Sequence, residues 1–253
     1  MDAPAARTRN KWFLREPSPV APARLFCLPY SGCGASMYRH WPSSVDGVEI
    51  CPVQLPGREN RMREPAYATY EALADDLSEA LRPYLDRPYA LFGHCGSALA
   101  AYETAVRLVE KGCPAPTQVF VSAEVAPQDG PYGRFLDMSD DELAVELRRL
   151  VAELGGTLEP SLLALYLGVL RGDVEMNKRY HVADPVRLPC PVTAIGWTGD
   201  TGVPASLMTG WSACGETTFA LLDGGHYRFV EAPGELMAVL TADLRRPGRA
   251  RTA

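Results

Sequence analysis

Cys95 lies at the centre of a five-residue turn whose residue types suit nucleophilic catalysis. The turn, Gly-His-Cys-Gly-Ser at 93–97, follows the apolar run 89–92 and precedes a helical pattern that ends at Gly112. A sharp strand-to-helix turn of this kind lifts its middle side chain clear of the sheet and needs very small neighbours. The helix N-terminus favours a thiolate. We therefore predict that Cys95 is a nucleophile with a lowered pKa, rather than a small buried apolar residue.

A thiol nucleophile of this kind needs a base, and the chain has four histidines. His94 is part of the turn and should point away from the thiol, while His40 and His181 fall in or beside helical segments. His226 is preceded by two glycines and follows the late apolar run 217–222. Elimination therefore favours His226 as the base.

Four carboxylates could orient the imidazole of His226, although carboxylates that follow a strand, such as Glu124 and Asp129, are often simply part of the surface. Asp223 is only three residues away, too close in sequence to reach behind the ring. Asp200 and Glu124 each follow an apolar run, at the strand ends where parallel sheets hold their sites. We favour Asp200, which gives the chain order nucleophile, acid, histidine, and Glu124 remains the alternative acid.

A loop of small residues at 29–36 could complete an oxyanion hole. It follows the early apolar run 24–28, and from this position we assign one backbone donor to Ser31 and the other to Gly96, the residue after the nucleophile. The alternative, a phosphate-binding loop, is disfavoured because neither GxGxxG nor GxxxxGK[ST] spacing is present.

The elements that must position these residues read as an α/β fold. Six apolar runs with intervening helical patterns predict a mostly parallel central sheet covered by helices on both faces; they lie at 24–28, 48–53, 89–92, 118–122, 190–196 and 217–222. This core is expected to span 21–127 and 186–246.

Residues 128–185 interrupt the alternation of strands and helices with at least two helical patterns, which we interpret as a helical lid inserted into the core. The second pattern is strongly apolar. Its side chains could line a channel for an acyl chain, although such a stripe is more often plain packing; they are Leu162, Leu165, Tyr166 and Val169.

Composition narrows the class of protein. The chain has 253 residues, 47% of them hydrophobic, and a net charge of −6, which argues against general nucleic-acid binding. The segment 1–20 resembles a flexible lead-in without a signal-peptide core, and no apolar run is long enough to cross a membrane, so we expect a cytoplasmic protein, by default a monomer. The seven cysteines form no CxxC pair and the histidines are scattered, which predicts free thiols and no metal site.

Three arginines cluster in one short segment after the second apolar run. Arg58, Arg61 and Arg63 could be solvated surface, or they could contact a phosphate or an acidic partner helix. The sequence leaves both interpretations open.

Blocks of this sequence, taken together, resemble the type II thioesterases of polyketide and nonribosomal peptide assembly lines. The blocks are LFCLPYSGCGAS, VQLPGRENR, LRPYLDRPYALFGH, PVTAIG before Asp200, and LLDGGHYRFV containing His226. The resemblance covers nearly all of 24–240. It implies an α/β-hydrolase fold with a helical lid, no bound cofactor, and a substrate carried as an acyl thioester on the phosphopantetheine of an acyl or peptidyl carrier protein. It also implies a nucleophile–acid–base triad, which carries over to Cys95, Asp200 and His226, with Ser31 and Gly96 as oxyanion donors.

The chain departs from the family pattern at the chemistry. Where the family reads GHSMG this chain reads GHCGS, and Trp197-Thr198-Gly199 replaces several aspartates before the acid. Because the neighbours of the nucleophile also differ, we interpret Cys95 as natural. An acyl-cysteine remains a thioester, so hydrolysis is the expected outcome and transfer to a thiol, an amine or an internal nucleophile is the alternative. A protein that only binds acyl carriers, or an ordinary esterase or peptidase, fits the sequence less well.

Overall fold

The computed structural model describes residues 10–244, and these form a seven-stranded sheet with helices on both faces. The strands are β1 (Ala23–Cys27), β2 (Ser44–Val45), β3 (Val48–Pro52), β4 (Tyr89–His94), β5 (Gln118–Ser122), β6 (Val192–Trp197) and β7 (Thr217–Leu222). Their order is β2-β3-β1-β4-β5-β6-β7, and only the β2–β3 pairing is antiparallel. The predicted α/β architecture is confirmed. β2 was not predicted, because two residues carry no periodicity.

Five α-helices connect or cover the strands. They are α1 (Tyr70–Leu81), α2 (Gly96–Glu110), α3 (Asp140–Glu153), α4 (Pro160–Arg179) and α5 (Gly234–Thr241). Side-chain caps fix two of the starts: Thr69 Oγ1 accepts the Ala72 N–H at α1, and Ser139 and Glu142 form a capping box at α3. The helical segment expected around His40 is a short 3-10 helix, Ala35–His40.

The two faces of the sheet hold separate apolar clusters, because successive side chains of a strand point to opposite faces. In β1, Phe26 packs with α1 and α2, whereas Leu25 and Cys27 pack with α5, the 3-10 helix at Ala35–His40 and part of α3. Coverage on both faces explains why β1, β4, β5 and β6 are continuously buried.

The predicted flexible segment at 1–20 is wrong for the part that the structure describes. Trp12 and Phe13 are buried in the α1/α2-side cluster, and Phe13 forms an isolated antiparallel bridge with Val53. Two large aromatic side chains bury enough apolar surface to offset the entropy of ordering a short segment. Residues 1–9 and 245–246 of the predicted divisions lie outside the described residues.

The carboxyl ends of four neighbouring strands converge on one edge of the sheet. Cys95 follows β4, Glu124 follows β5, Asp200 follows β6 and His226 follows β7. Helices α3 and α4 occupy the insertion between β5 and β6. Within residues 10–244, no helix is both long and apolar enough to span a bilayer.

Candidate active site

Cys95 occupies a strained turn between β4 and α2. Its backbone has φ 57° and ψ −143°, a conformation that side-chain-bearing residues rarely adopt, and it is the N-cap of α2. A Cβ at Gly93 would lie 2.1 Å from the Ser97 carbonyl oxygen, so only glycine fits there. The Ser97 hydroxyl accepts the His94 N–H and donates to the His94 carbonyl, which closes the turn. The turn predicted from the sequence is present.

The predicted lowering of the Cys95 pKa is wrong. Burial raises the pKa of this thiol well above its ordinary value, and the carboxyls of Glu124 and Asp200 raise it further. The Gly96 N–H and the Arg134 guanidinium act in the opposite direction but do not compensate. With only 4% of Cys95 exposed, loss of solvation outweighs the helix terminus. The resting residue is therefore a neutral thiol, which must lose its proton as it reacts.

His226 and Asp200 have the arrangement expected of a base and the acid that orients it. His226 Nδ1 lies 2.7 Å from Asp200 Oδ2, and both side chains are almost fully buried. The other carboxylate oxygen, Oδ1, accepts the N–H groups of Gly202 and Val203 at 2.9 and 3.1 Å. Burial alone would raise the pKa of Asp200, but the hydrogen bond and charge of His226 and these two N–H groups lower it. Asp200, rather than the alternative Glu124, is hydrogen-bonded to His226.

The second ring nitrogen of His226 faces a residue that the sequence did not single out. Nε2 lies 3.2 Å from the Tyr30 hydroxyl, and the two rings pack edge to face at 5.7 Å. Among residues 10–244, no hydrogen bond joins the Cys95 thiol to His226. Tyr30 directly precedes the assigned oxyanion donor Ser31, which is the one sequence signal that could have identified it. In this structure Tyr30 occupies the nitrogen that would accept the thiol proton.

The two assigned oxyanion donors, Gly96 and Ser31, lie side by side. A Cβ at Gly96 would sit 3.3 Å from Ser31 Oγ and 2.7 Å from the Tyr70 hydroxyl, so a side chain at this position would collide with the site. The same Cβ would be 3.5 Å from Asn177 Nδ2 of α4. The sequence predicted the glycine and serine, but not the polar groups of Tyr70 and Asn177 around them.

Glu124 is fully buried on a second side of the thiol. Its Oε1 accepts the N–H of Val125 at 3.0 Å, but its Oε2 has no hydrogen-bond partner within the described residues. Burial raises the pKa of Glu124 to about 8, against the Val125 N–H and the amide of Asn177, which favour the ionised form. At neutral pH this side chain is mostly a neutral carboxylic acid, in contrast to Asp200.

An ion pair fastens α4 to the loop that carries Ser31. Asp173 of α4 accepts two hydrogen bonds from Arg58, at 2.7 and 2.9 Å, and a third from the Gly32 N–H at 2.8 Å. Arg58 also donates to the Cys33 carbonyl. The possibility that this arginine meets an external phosphate is therefore wrong. Arg61 is likewise buried and paired, with Glu64.

A cavity of about 190 Å³ lies between the two inserted helices and the loop that follows Ser31. Its apolar lining from the inserted helices and their connection includes Leu147, Leu154, Leu158 and two of the four predicted channel residues, Leu162 and Tyr166. Leu165 and Val169 do not line it, and Leu165 is 43% exposed. Only part of the apolar face of α4 borders the cavity, so the apolar pattern alone could not identify which of its residues line it.

The nucleophile turn, the order of the strand ends and the Asp200–His226 pair define an enzyme of the α/β-hydrolase class. A family model of the thioesterase domain matches residues 23–244, and the chain belongs to this thioesterase family. It is 30% identical to the gramicidin S biosynthesis protein GrsT of Aneurinibacillus migulanus over 93% of this chain and 94% of that protein.

Solved structures of thioesterases share the fold over nearly the whole chain. RedJ, a thioesterase from the prodiginine biosynthetic pathway of Streptomyces coelicolor, is 34% identical, with a TM-score of 0.68 over 93% of this chain and 98% of that structure. The type II thioesterase BorB from the borrelidin biosynthetic cluster is 29% identical, with a TM-score of 0.76 over 92% and 96%.

Proposed function

We propose that this protein is a type II thioesterase that cleaves acyl groups from the phosphopantetheine of acyl or peptidyl carrier proteins through an acyl-Cys95 intermediate. Family membership supports thioester chemistry, and relatives named for gramicidin S biosynthesis and for the borrelidin biosynthetic cluster support carrier-bound substrates. The observation that carries the assignment is the buried 2.7 Å contact of His226 with Asp200 beside a cysteine in a nucleophile turn.

In the proposed acylation step, Cys95 Sγ attacks the thioester carbonyl while His226 Nε2 takes the thiol proton. Asp200 holds Nδ1–H and stabilises the imidazolium. The N–H groups of Gly96 and Ser31 bind the oxyanion. Collapse of the intermediate breaks the carbonyl bond to the pantetheine sulfur, which leaves with the proton from His226. For this step, Tyr30 must release Nε2.

In the second step, His226 removes a proton from water, which attacks the acyl-cysteine and restores the thiol. A second outcome, transfer to a thiol, an amine or an internal nucleophile, is favoured by the identity of the nucleophile. Because acyl-Cys95 keeps the free energy of a thioester, it reacts readily with acceptors other than water. In this proposal helices α3 and α4 act as the lid and the cavity beneath them takes the acyl chain.

The test is intact-protein mass spectrometry of the wild type and Cys95→Ala after mixing with an acylated carrier protein. We expect the wild type to release the acyl group as free acid through a transient adduct on Cys95, and Cys95→Ala to form none. An adduct that persists in water and clears on addition of an amine or a second carrier would identify an acyltransferase instead. Absence of any wild-type adduct, with the carrier still loaded, would refute the proposal.

A further inference from the structure

The polar groups around Cys95 fall into two sets with different states of hydrogen bonding. On the His226 side every carboxylate oxygen of Asp200 has a donor. On the other side, Glu124 Oε2 and Asn177 Oδ1 are buried and have no partner within residues 10–244. Buried polar atoms without partners are uncommon, and those in a native site call for an explanation.

These atoms lie beside the reacting carbon rather than at the far end of the acyl cavity. Asn177 and Tyr70 approach Gly96, the residue next to the nucleophile. Glu124 is close enough to raise the pKa values of both Cys95 and Tyr70 electrostatically. None of Glu124, Asn177 or Tyr70 lines the cavity under α3 and α4. Because Asn177 Nδ2 and the Tyr70 hydroxyl lie beside Gly96 rather than along this cavity, the position suits a substrate group carried on the carbon adjacent to the carbonyl.

The chemistry of the unpartnered atoms selects the ligand. The amide oxygen of Asn177 can only accept hydrogen bonds, the ionised form of Glu124 can only accept, and the hydroxyl of Tyr70 can do so as well. Two buried oxygens without partners, one of them able to carry a negative charge, match a primary ammonium together with the neighbouring Tyr70 hydroxyl, since an ammonium has three donors and one positive charge. A hydroxyl would satisfy one acceptor and leave the others unpaired.

Glu124 is suited to a ligand that arrives with its own charge. A permanent buried carboxylate without a partner would be unfavourable in the empty enzyme, and this side chain avoids that state by staying protonated. On contact with an ammonium, it releases its proton to solvent and becomes the counter-ion. A plain fatty acyl chain has no charged group and therefore needs no such counter-ion.

We infer that Glu124, with Asn177 and Tyr70, forms a binding site for the α-ammonium group of an aminoacyl or N-terminally free peptidyl thioester, and that Glu124 selects this substrate class. The inference rests on the proposed acyl-Cys95 function and specifies its substrate. The side chain of the amino acid would point into the apolar cavity lined by Leu147 and Leu162.

The experiment uses three N-acetylcysteamine thioesters that differ only at the α-carbon: leucyl, 2-hydroxy-4-methylpentanoyl and 4-methylpentanoyl. Acylation of Cys95 and release of acid are measured at pH 7 for the wild type, Glu124→Gln and a matched control, Asp129→Asn, with enzyme-free reactions subtracted. Asp129 is an exposed residue five positions further along the chain, so it controls for replacement of a nearby carboxyl group by an amide.

The wild type is expected to favour the leucyl thioester in kcat/KM by about 10- to 100-fold over the 4-methylpentanoyl thioester. Glu124→Gln should lose most of this preference while its rate on the 4-methylpentanoyl substrate stays within about threefold, and Asp129→Asn should behave as the wild type. Equal wild-type rates on the three substrates, a hydroxy substrate as good as the leucyl one, or equal losses on all three in Glu124→Gln would each overturn the inference.

Failure of the proposed function has a different signature, namely no acylation of Cys95 by any of the three thioesters. If Glu124→Gln does not fold, as judged by circular dichroism, the wild-type substrate series decides by itself. Asn177→Ala supplies the second variant, with the same selective loss on the leucyl substrate expected.

Discussion

Asp200 and Glu124 are two buried carboxyl groups beside the same thiol, yet at neutral pH Asp200 is ionised and Glu124 is protonated. Asp200 receives three hydrogen bonds, and they lower its pKa although burial opposes ionisation. Glu124 accepts one backbone N–H and has only the nearby amide of Asn177 besides, so burial holds it protonated, with a pKa of about 8. Burial is common to both, so the supply of hydrogen-bond donors decides which one is charged. One site thereby contains an ionised carboxylate hydrogen-bonded to His226 and a neutral carboxylic acid, to which we assign the substrate ammonium.

The largest effect is expected when the negative charge of Asp200 is removed, so that neither carboxyl is ionised at neutral pH. Asp200→Asn keeps the shape but withdraws the charge that stabilises the imidazolium, so the rate of Cys95 acylation should fall by about 10³-fold or more. Rapid-quench mass spectrometry measures this rate. Asp223→Asn, an exposed carboxylate bonded to Thr198, should stay within about threefold of the wild type. A similar small loss in both variants would remove Asp200 from the mechanism.

The contrast also predicts how stability depends on pH. Unfolded Glu124 loses its proton near pH 4.5, whereas the folded residue keeps it to about pH 8. Between these values, raising the pH favours unfolding, so wild-type stability relative to Glu124→Gln should fall by about 1.4 kcal/mol per pH unit from pH 5 to 8 and then level off. Urea denaturation of both proteins across this range measures it.

Asp200 provides the control for that titration, since its pKa is lowered in the folded protein. Its contribution to stability is present above the unfolded pKa and is lost only as pH falls through the lower folded value. The ionisation of Asp200 itself should therefore add no slope to the stability of the wild type between pH 5 and 8. A flat difference for Glu124→Gln would mean that Glu124 is already ionised in the folded protein.

A smaller effect is expected on the reactivity of the Cys95 thiol toward alkylation. At pH 9 Glu124 is mostly ionised and its charge opposes thiolate formation at Cys95. Glu124→Gln should then be alkylated at Cys95 by iodoacetamide about tenfold faster than the wild type, with the difference shrinking toward pH 6. Peptide mass spectrometry separates Cys95 from the six other cysteines, all of which are free thiols in the structure. Identical rates at pH 9 would show that the two groups are not coupled.

The smallest effect is expected when the Tyr30 hydroxyl, which contacts the proposed base His226, is removed. Tyr30→Phe removes the hydroxyl that contacts His226 Nε2 and so frees this nitrogen for the thiol. Because one neutral hydrogen bond is lost, we expect about a two- to fivefold increase in the acylation rate, measured in single-turnover experiments. A large decrease would instead assign Tyr30 a direct role in the reaction.

Local patterns in the sequence were sufficient for the fold and for the position of the nucleophile. The turn at Cys95 is specified by small residues at fixed offsets, and each long strand is a continuous apolar run, so both are properties of neighbouring residues. The helical patterns predicted within 128–185 correspond to α3 and α4, and the start of α3 is fixed by a local capping box at Ser139 and Glu142. The same logic failed for Trp12 and Phe13, since their burial depends on a surface built by distant residues.

The electrostatic character of the site could not be predicted in this way. A sequence shows that Cys95 begins a helix, but not that its thiol is desolvated and faces Glu124 and Asp200. It shows three arginines in one segment, but not that Arg58 is buried against Asp173 more than a hundred residues away. Charges and hydrogen bonds between distant parts of the chain depend on the packed structure, and the state of each group follows from that packing.

The contacts of Asp173 with Arg58 and Gly32 tie the proposed lid helix α4 to the loop that carries the assigned oxyanion donor. Asp173 belongs to α4, while Gly32 follows the assigned oxyanion donor Ser31. Moving α4 away breaks a buried ion pair and releases the backbone that positions that donor. With α4 moved away, the assigned oxyanion donor Ser31 would therefore no longer be held in place. If α4 acts as the lid, as proposed, the free energy of opening would have to come from binding of the carrier, and the attacking geometry would be restored only when α4 closes again over the acyl group.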